Sequence, residues 1–159
     1  MPMKPRLLTI GYEGLTPDEL ISITKDLRAI LMDVRSRPAG RVKRGFSRSD
    51  LHSALGDSYQ WHGLTLGGLG QTIKREGLEA ININLRNSNV LLMCMEEEPC
   101  DCHRHFSICR VHYPSALHIF QGDLYTARAC AKSEDEGGSP VSIAGSLADL
   151  TAKIKLSTE

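Results

Sequence analysis

Apolar residues along this chain fall alternately into short unbroken runs and into stretches spaced three or four apart. Buried strands separated by amphipathic helices produce that pattern. Leu7-Leu8-Thr9-Ile10-Gly11-Tyr12 reads as a first strand. Thr16-Pro17-Asp18-Glu19 combines a capping box with proline at the first helical position, and Leu20, Ile23 and Leu27 continue a helix to about Arg28. Ala29 to Val34 is nearly all apolar, as in strands inside parallel sheets. After a polar loop to Phe46, Ser47-Arg48-Ser49-Asp50 caps a helix with Leu51 and Leu55 on one face.

Tyr59 to Gly63 predicts a short strand and Gly67-Gly68-Leu69-Gly70 a turn. Ile73, Leu78, Ile81 and Leu85 mark a helix over about 71–86, and Val90 to Met95 the next buried strand. His103 to His112 reads as helical and Ala116 to Phe120 as a last strand. Residues 132–145 are acidic and glycine-containing, a linker between a domain over 1–131 and a tail over 146–159 whose helix is capped by Ser146 to Asp149. Strands alternating with helices require right-handed crossovers. The predicted fold is therefore α/β: a single domain with a mainly parallel, three-layer, Rossmann-like sheet and a short C-terminal helical tail.

Composition narrows the function. In 159 residues, 19 basic and 19 acidic side chains cancel, so the chain is no polycation built for indiscriminate nucleic-acid binding. No apolar run reaches the length of a membrane-spanning helix, and the N-terminus lacks a signal-peptide pattern. Five cysteines stand at 94, 100, 102, 109 and 130, four of them within sixteen residues. That crowding is a poor disulfide framework and a better site candidate in a reducing compartment, so a cytoplasmic location is expected, with no membrane partner.

In open α/β sheets ligands bind beyond the carboxyl ends of the strands. Each loop following a predicted strand here is chemically unusual, and one shared site would account for them all. The basic loop carries Arg35, Arg37, Arg41, Lys43, Arg44 and Arg48, with no acid between Asp33 and Asp50. Arginine forks bind phosphate or carboxylate bidentately, and Gly40 and Gly45 allow close backbone approach. Arg104, Gly67 and Gly68 join this candidate anion-binding set. The alternative for the loop is a solvated basic run, and for Asp33 with Arg35 a structural ion pair. The glycine run fits neither a dinucleotide fingerprint nor a phosphate-binding loop.

Cys94 and Glu96 lie two residues apart and point to the same side of an extended chain. Cys100, Cys102, His103 and Arg104 follow. Three chemistries fit. A cysteine nucleophile could be activated by His103 or Arg104. Cys94, Cys100, Cys102 and His103 could hold zinc, although the tight Cys-x-Cys-His spacing matches no common zinc motif. Or the cysteines pack while Glu96, His103 and Arg104 do the polar work. Asp33, Cys94, Glu96, Cys102 and His103 are the candidate catalytic residues. No cofactor is expected, zinc at the cysteine cluster being the one alternative. Cys100 and Cys109 leave room for a redox pair, and Cys130 reads as core. Trp61 could stack a base or sugar and His62 could donate to a ligand, against the alternative of a core tryptophan and its neighbour. His105, His112 and His118 are assigned structural or solvated positions.

Six motifs in order, Thr9-Ile10-Gly11-Tyr12, Asp33-Val34-Arg35-Ser36, the basic loop ending in Phe46-Ser47, Leu66-Gly67-Gly68, Cys94-Met95-Glu96 and Cys102-His103-Arg104, resemble domain of unknown function family 488 (DUF488). They span roughly residues 7 to 120. The resemblance implies an α/β domain with a polar site of Asp33, Arg35, Cys94, Glu96, Cys102, His103 and Arg104. It implies no reaction. The chain departs from that pattern in its extra Cys100 and in a shortened segment after Gly68. A weaker likeness runs to rhodaneses, without the short glycine- and arginine-containing loop that follows their cysteine.

The leading expectation is an enzyme acting on a phosphate-bearing substrate, a nucleotide or nucleic acid, held by the arginine loop while Glu96 or His103 supplies acid–base chemistry. One alternative is a cysteine-dependent sulfur or acyl transferase. Another is a non-catalytic module binding nucleic acid through residues 35–48.

Overall fold

The computed structural model describes residues 3–38, 44–67, 72–97, 99, 102–127 and 144–157. Arg41, Lys43, Gly68, Cys100, Cys130 and most of the expected linker lie outside the described residues. Seven strands form one sheet: β1 (Leu7–Gly11), β2 (Ala29–Asp33), β3 (Tyr59–Trp61), β4 (Asn89–Cys94), β5 (Leu117–Phe120), β6 (Asp123–Thr126) and β7 (Gly145–Ser146). Their spatial order is β3-β2-β4-β1-β5-β6-β7. β3 through β5 in that order run parallel, and β6 and β7 extend the sheet antiparallel. The expected α/β fold is the observed one.

Period-two alternation sorts the strand residues between two helical layers. Leu8, Ile10, Leu31, Leu91 and Met93 face a core shared with Leu20 and Leu27, which belong to or directly follow α1 (Pro17–Asp26), and with Leu51 and Leu55 of α2 (Arg48–Leu55). Leu7, Met32, Val90, Leu92 and Cys94 face a second core with Ile81 of α4 (Arg75–Asn84) and Leu66, the last residue of α3 (Gly63–Leu66). Ile108 and Cys109 complete that layer from a π-helical segment, Arg104–Cys109, which runs into α5 (Arg110–His112). The C-terminal helix α6 (Leu147–Leu156) buries Leu150 and Ile154 in the first core. The tail is part of the fold.

Three helix starts use the side-chain caps legible in the sequence. Thr16 and Glu19 form the capping box of α1, and Ser47 and Ser146 accept from the backbone N–H groups of Asp50 and Asp149. Other boundaries moved. The helix expected from residue 71 begins at Arg75, and the strand expected to run to Gly63 ends at Trp61, with Gly63 opening the short helix α3. The β5–β6 hairpin was not predicted. Its two-residue turn, Gln121-Gly122, has φ values of 50° and 80°, a left-handed pair matching the twist of a tight hairpin.

Candidate functional site

The central strands β2, β4 and β1 are neighbours, and their carboxyl ends bring Asp33, Cys94 and Gly11 onto one rim. Gly11 sits opposite Cys94 in register. A Cβ built on Gly11 would collide with the Glu96 carbonyl oxygen, so glycine lets the loop after Cys94 fold over the end of β1. Two backbone bonds strap that loop down, Tyr12 N–H to the Cys94 carbonyl at 3.1 Å and Glu13 N–H to the Met95 carbonyl at 3.0 Å.

Asp33 and Arg35 form one closed unit. Arg35 donates from Nε to Asp33 Oδ1 at 2.9 Å and from Nη2 to Oδ2 at 2.8 Å, and its backbone N–H reaches Oδ1 at 3.0 Å. Tyr59 donates to Oδ2 at 2.5 Å. Two donors on each oxygen fill the carboxylate's four acceptor positions. Asp33, a candidate catalytic residue, and Arg35, a candidate anion binder, are paired with each other. The guanidinium lies 5.0 Å from the centroid of the Tyr12 ring and also reaches the Phe46 carbonyl. Burial works against charge on Arg35, but the bonds and charge of Asp33 outweigh it and raise its pKa. Burial and Asp33 together push the Tyr59 phenol up as well.

Cys94 and Cys102 meet sulfur to sulfur as a disulfide whose Cα atoms are 7.8 Å apart. Both are buried, while Glu96 and His103 are half-buried beside them. Glu96 Oε2 lies 3.1 Å from Cys94 Sγ, and Arg104 Nη1 lies 3.2 Å from the same sulfur. His103 Nδ1 stands 3.8 Å from Cys102 Sγ. Its Nε2 is 3.1 Å from the carbonyl oxygens of both Val34 and Leu66. Carbonyls only accept, so Nε2 carries the hydrogen and Nδ1 presents its lone pair to the cysteines. Burial lowers the His103 pKa, partly offset by those carbonyls and by Glu96, so the ring is neutral at pH 7.

Arg104 is fully buried and has no carboxylate partner within salt-bridge distance among the described residues. Besides Cys94 it bonds the carbonyls of Glu96 at 2.6 Å and Glu97 at 3.3 Å, and Thr9 Oγ1 at 3.1 Å. Burial lowers its pKa to about 10, leaving it charged at pH 7. From Thr9 a buried chain continues to His118 Nδ1 at 2.6 Å, and from His118 Nε2 to His105 Nδ1 at 3.1 Å. Arg104 can only donate, so Thr9 donates onward to His118, and His118 to His105. Burial first, then the nearby Arg104, pushes His118 down to about 3. Burial, then Arg110 and Arg104, pushes His105 to about 4.

This network was not singled out in the sequence. Its signal was a polar residue at an inward position of each of two otherwise apolar strands, Thr9 in β1 and His118 in β5, which are register partners. The π-helical turn places both Arg104 and His105 against the sheet; widened turns of this kind recur at functional sites.

The remaining candidates are dispersed. Arg37 and Arg44 are exposed, and Gly67 is buried. Arg48 stacks over Trp61, 4.5 Å from the ring centroid, at a cavity of about 610 Å³ lined also by Ser47, His52 and Tyr59. Trp61 Nε1 donates to the Arg35 carbonyl and the His62 ring bonds Gln60, so both tie the rim together. Cys109 is a buried thiol pushed up to about 12 by burial, which keeps it inert. The side-chain sulfurs of Cys94 and Cys102, joined as a disulfide, and a ring nitrogen of His103 all lie within 4.8 Å of one another, a group that on reduction could hold a metal ion. No helix among those residues is long and apolar enough to cross a membrane. The chain matches no protein-family model, no curated protein and no solved structure.

Proposed function

We propose that the protein is a cysteine-dependent sulfur transferase in which Cys94 carries the sulfur. The observation supporting this reading is the meeting of two cysteine sulfurs beside the buried Arg104 guanidinium. Thiolate is the nucleophilic form, and Arg104 Nη1, 3.2 Å from the Cys94 sulfur, favours it. Glu96 Oε2, 3.1 Å from the same sulfur, is placed to accept the thiol's proton but opposes the thiolate when ionised. In the reduced protein the Cys94 thiolate attacks the outer sulfur of a persulfide donor, R–S–SH. The donor's S–S bond breaks, R–S⁻ leaves, and Cys94 holds the sulfur as Cys94–S–SH. An acceptor nucleophile removes the outer sulfur and restores the thiolate. Alternatively, Cys102, its proton taken by His103 Nδ1, attacks the inner sulfur, expels hydrosulfide and closes the Cys94–Cys102 disulfide.

Acyl transfer would use one cysteine and gain nothing from the second. The phosphate-substrate reading loses Arg35, whose fork is committed to Asp33. The exposed Arg37 and Arg44 and the cavity beside Arg48 and Trp61 support an anionic sulfur acceptor, with a nucleotide or nucleic acid the class that fits.

Reduced protein mixed with glutathione persulfide should gain the mass of one sulfur atom, located at Cys94 by peptide mass spectrometry. Cys94→Ser should gain none, and Cys102→Ser should accumulate the adduct. Equal loading of Cys94→Ser would end the proposal.

A further inference from the structure

We infer that the reduced cluster is also a binding site for a thiophilic divalent cation, zinc above all, held by Cys94 Sγ, Cys102 Sγ and His103 Nδ1 with a fourth position open. This goes beyond sulfur transfer and stands on observations of its own.

Size is the first. The three ligand atoms all lie within 4.8 Å of one another. Zinc–sulfur bonds of about 2.3 Å and zinc–nitrogen bonds of about 2.0 Å set tetrahedral ligand atoms roughly 3.5–4 Å apart. The 3.8 Å between His103 Nδ1 and Cys102 Sγ falls in that window, and the Cys94 and Cys102 sulfurs, bonded to each other in the oxidised pair, must separate on reduction to enter it. Backbone spacing is the second. The Cα atoms of Cys94 and Cys102 stand 7.8 Å apart, so once the disulfide is reduced the two sulfurs can part and face a common partner between them.

Orientation is the third. His103 gives its Nε2 hydrogen to the Val34 and Leu66 carbonyls, one following β2 and the other closing α3. That outer hydrogen bond fixes tautomer and ring angle in metal-ligating histidines and leaves the other nitrogen to the ion. Charge is the fourth. Two thiolates neutralise a divalent ion, and the Arg104 guanidinium and Glu96 carboxylate, each beside Cys94 Sγ, neutralise each other. The filled site buries no net charge, which removes the usual penalty for placing an ion out of water. Two cysteines and one histidine with an open position is a ligand set of catalytic rather than closed structural zinc sites.

An ion on the Cys94 sulfur occupies its nucleophilic lone pair, so metal and persulfide compete for one atom. Zinc would keep the pair reduced and silent until withdrawn.

The test is titration of the anaerobic, reduced full-length chain with cobalt(II) chloride, followed by zinc chloride. One cobalt per chain should bind, with sulfur-to-cobalt charge-transfer absorption and the strong visible bands of tetrahedral coordination, and zinc should displace it. The charge-transfer band should vanish in Cys94→Ser and in Cys102→Ser. Affinity should fall at least about tenfold in His103→Ala, and Cys109→Ser should bind as the unaltered chain does. Absence of the charge-transfer band, or its persistence in both serine variants, overturns the inference. If a serine variant fails to fold, the unaltered chain decides the question. Zinc must slow iodoacetamide labelling of Cys94, and an unchanged rate overturns the inference. Sulfur loading without metal binding would remove this inference and leave the transferase reading standing; metal binding without loading would do the reverse.

Discussion

At the scale of single residues, the site depends as much on a missing side chain as on reactive ones. Gly11 has no chemistry, yet the loop carrying Cys94 and Glu96 crosses the end of β1 only because a Cβ is absent there. The obstructing atom is a backbone carbonyl, which cannot swing aside as a flexible side chain would. Gly11→Ala should therefore destabilise the protein by about 1–3 kcal/mol and displace Glu96 from Cys94. Sulfur loading should drop at least about tenfold, following the rule that small misplacements near reacting groups are costly. Denaturant midpoints and persulfide uptake check both parts; loading at the unaltered rate would show that the strap does not position the cysteine. Asp33 and Arg35 give the complementary case. Their residue types suggest chemistry, but a carboxylate with four donors and a guanidinium with a matching fork are spent on each other.

At the scale of elements, the π-helical turn after His103 and strands β1 and β5 share one buried polar chain from Arg104 through Thr9 and His118 to His105. Both histidines are held neutral by burial and by neighbouring guanidinium charge. Their folded pKa values, about 4 and about 3, lie below the unfolded value of 6.5. Between those limits the unfolded chain binds more protons, so stability rises with pH and is lost as pH falls below 6.5. The loss by pH 4 should be on the order of a few kcal/mol. Urea midpoints between pH 7 and about pH 4 should fall steeply for the unaltered chain and less steeply for His118→Gln. Parallel slopes would mean that the chain does not carry this acid sensitivity. The same elements explain why the site was only half legible. Cysteine and Cys-His-Arg motifs declare themselves by type and spacing, but Thr9 and His118 are 109 residues apart and acquire meaning only as register partners.

At the scale of the whole molecule, the sheet order makes the site. β4 enters between β2 and β1 although it follows both in sequence, and this brings Cys94 between the Asp33–Arg35 unit and Gly11. The C-terminal helix then closes the first core over α1, with Arg28 reaching the Ile154 carbonyl. Ending the chain before Leu147 would expose the surfaces that Leu150 and Ile154 cover. Burial of two such side chains is worth roughly 3–6 kcal/mol, so the truncated protein should melt far lower, read by thermal circular dichroism. An unchanged melting temperature would make the tail dispensable.

By itself the sequence determined the five parallel strands and the longer helices, because apolar periodicity, capping residues and proline act within a few residues of chain; β6, β7 and α3 escaped it. It also marked the loops after β2 and β4 as the candidate site, because cysteine, histidine and arginine announce themselves by type. Only the tertiary structure decided which of those groups are spent on one another and which remain for chemistry. Pairing, burial and tautomer depend on neighbours brought together across the sheet, and no local pattern encodes them. Arg35 closed onto Asp33, while Arg104, without a carboxylate in salt-bridge reach among the described residues, was left facing a cysteine sulfur.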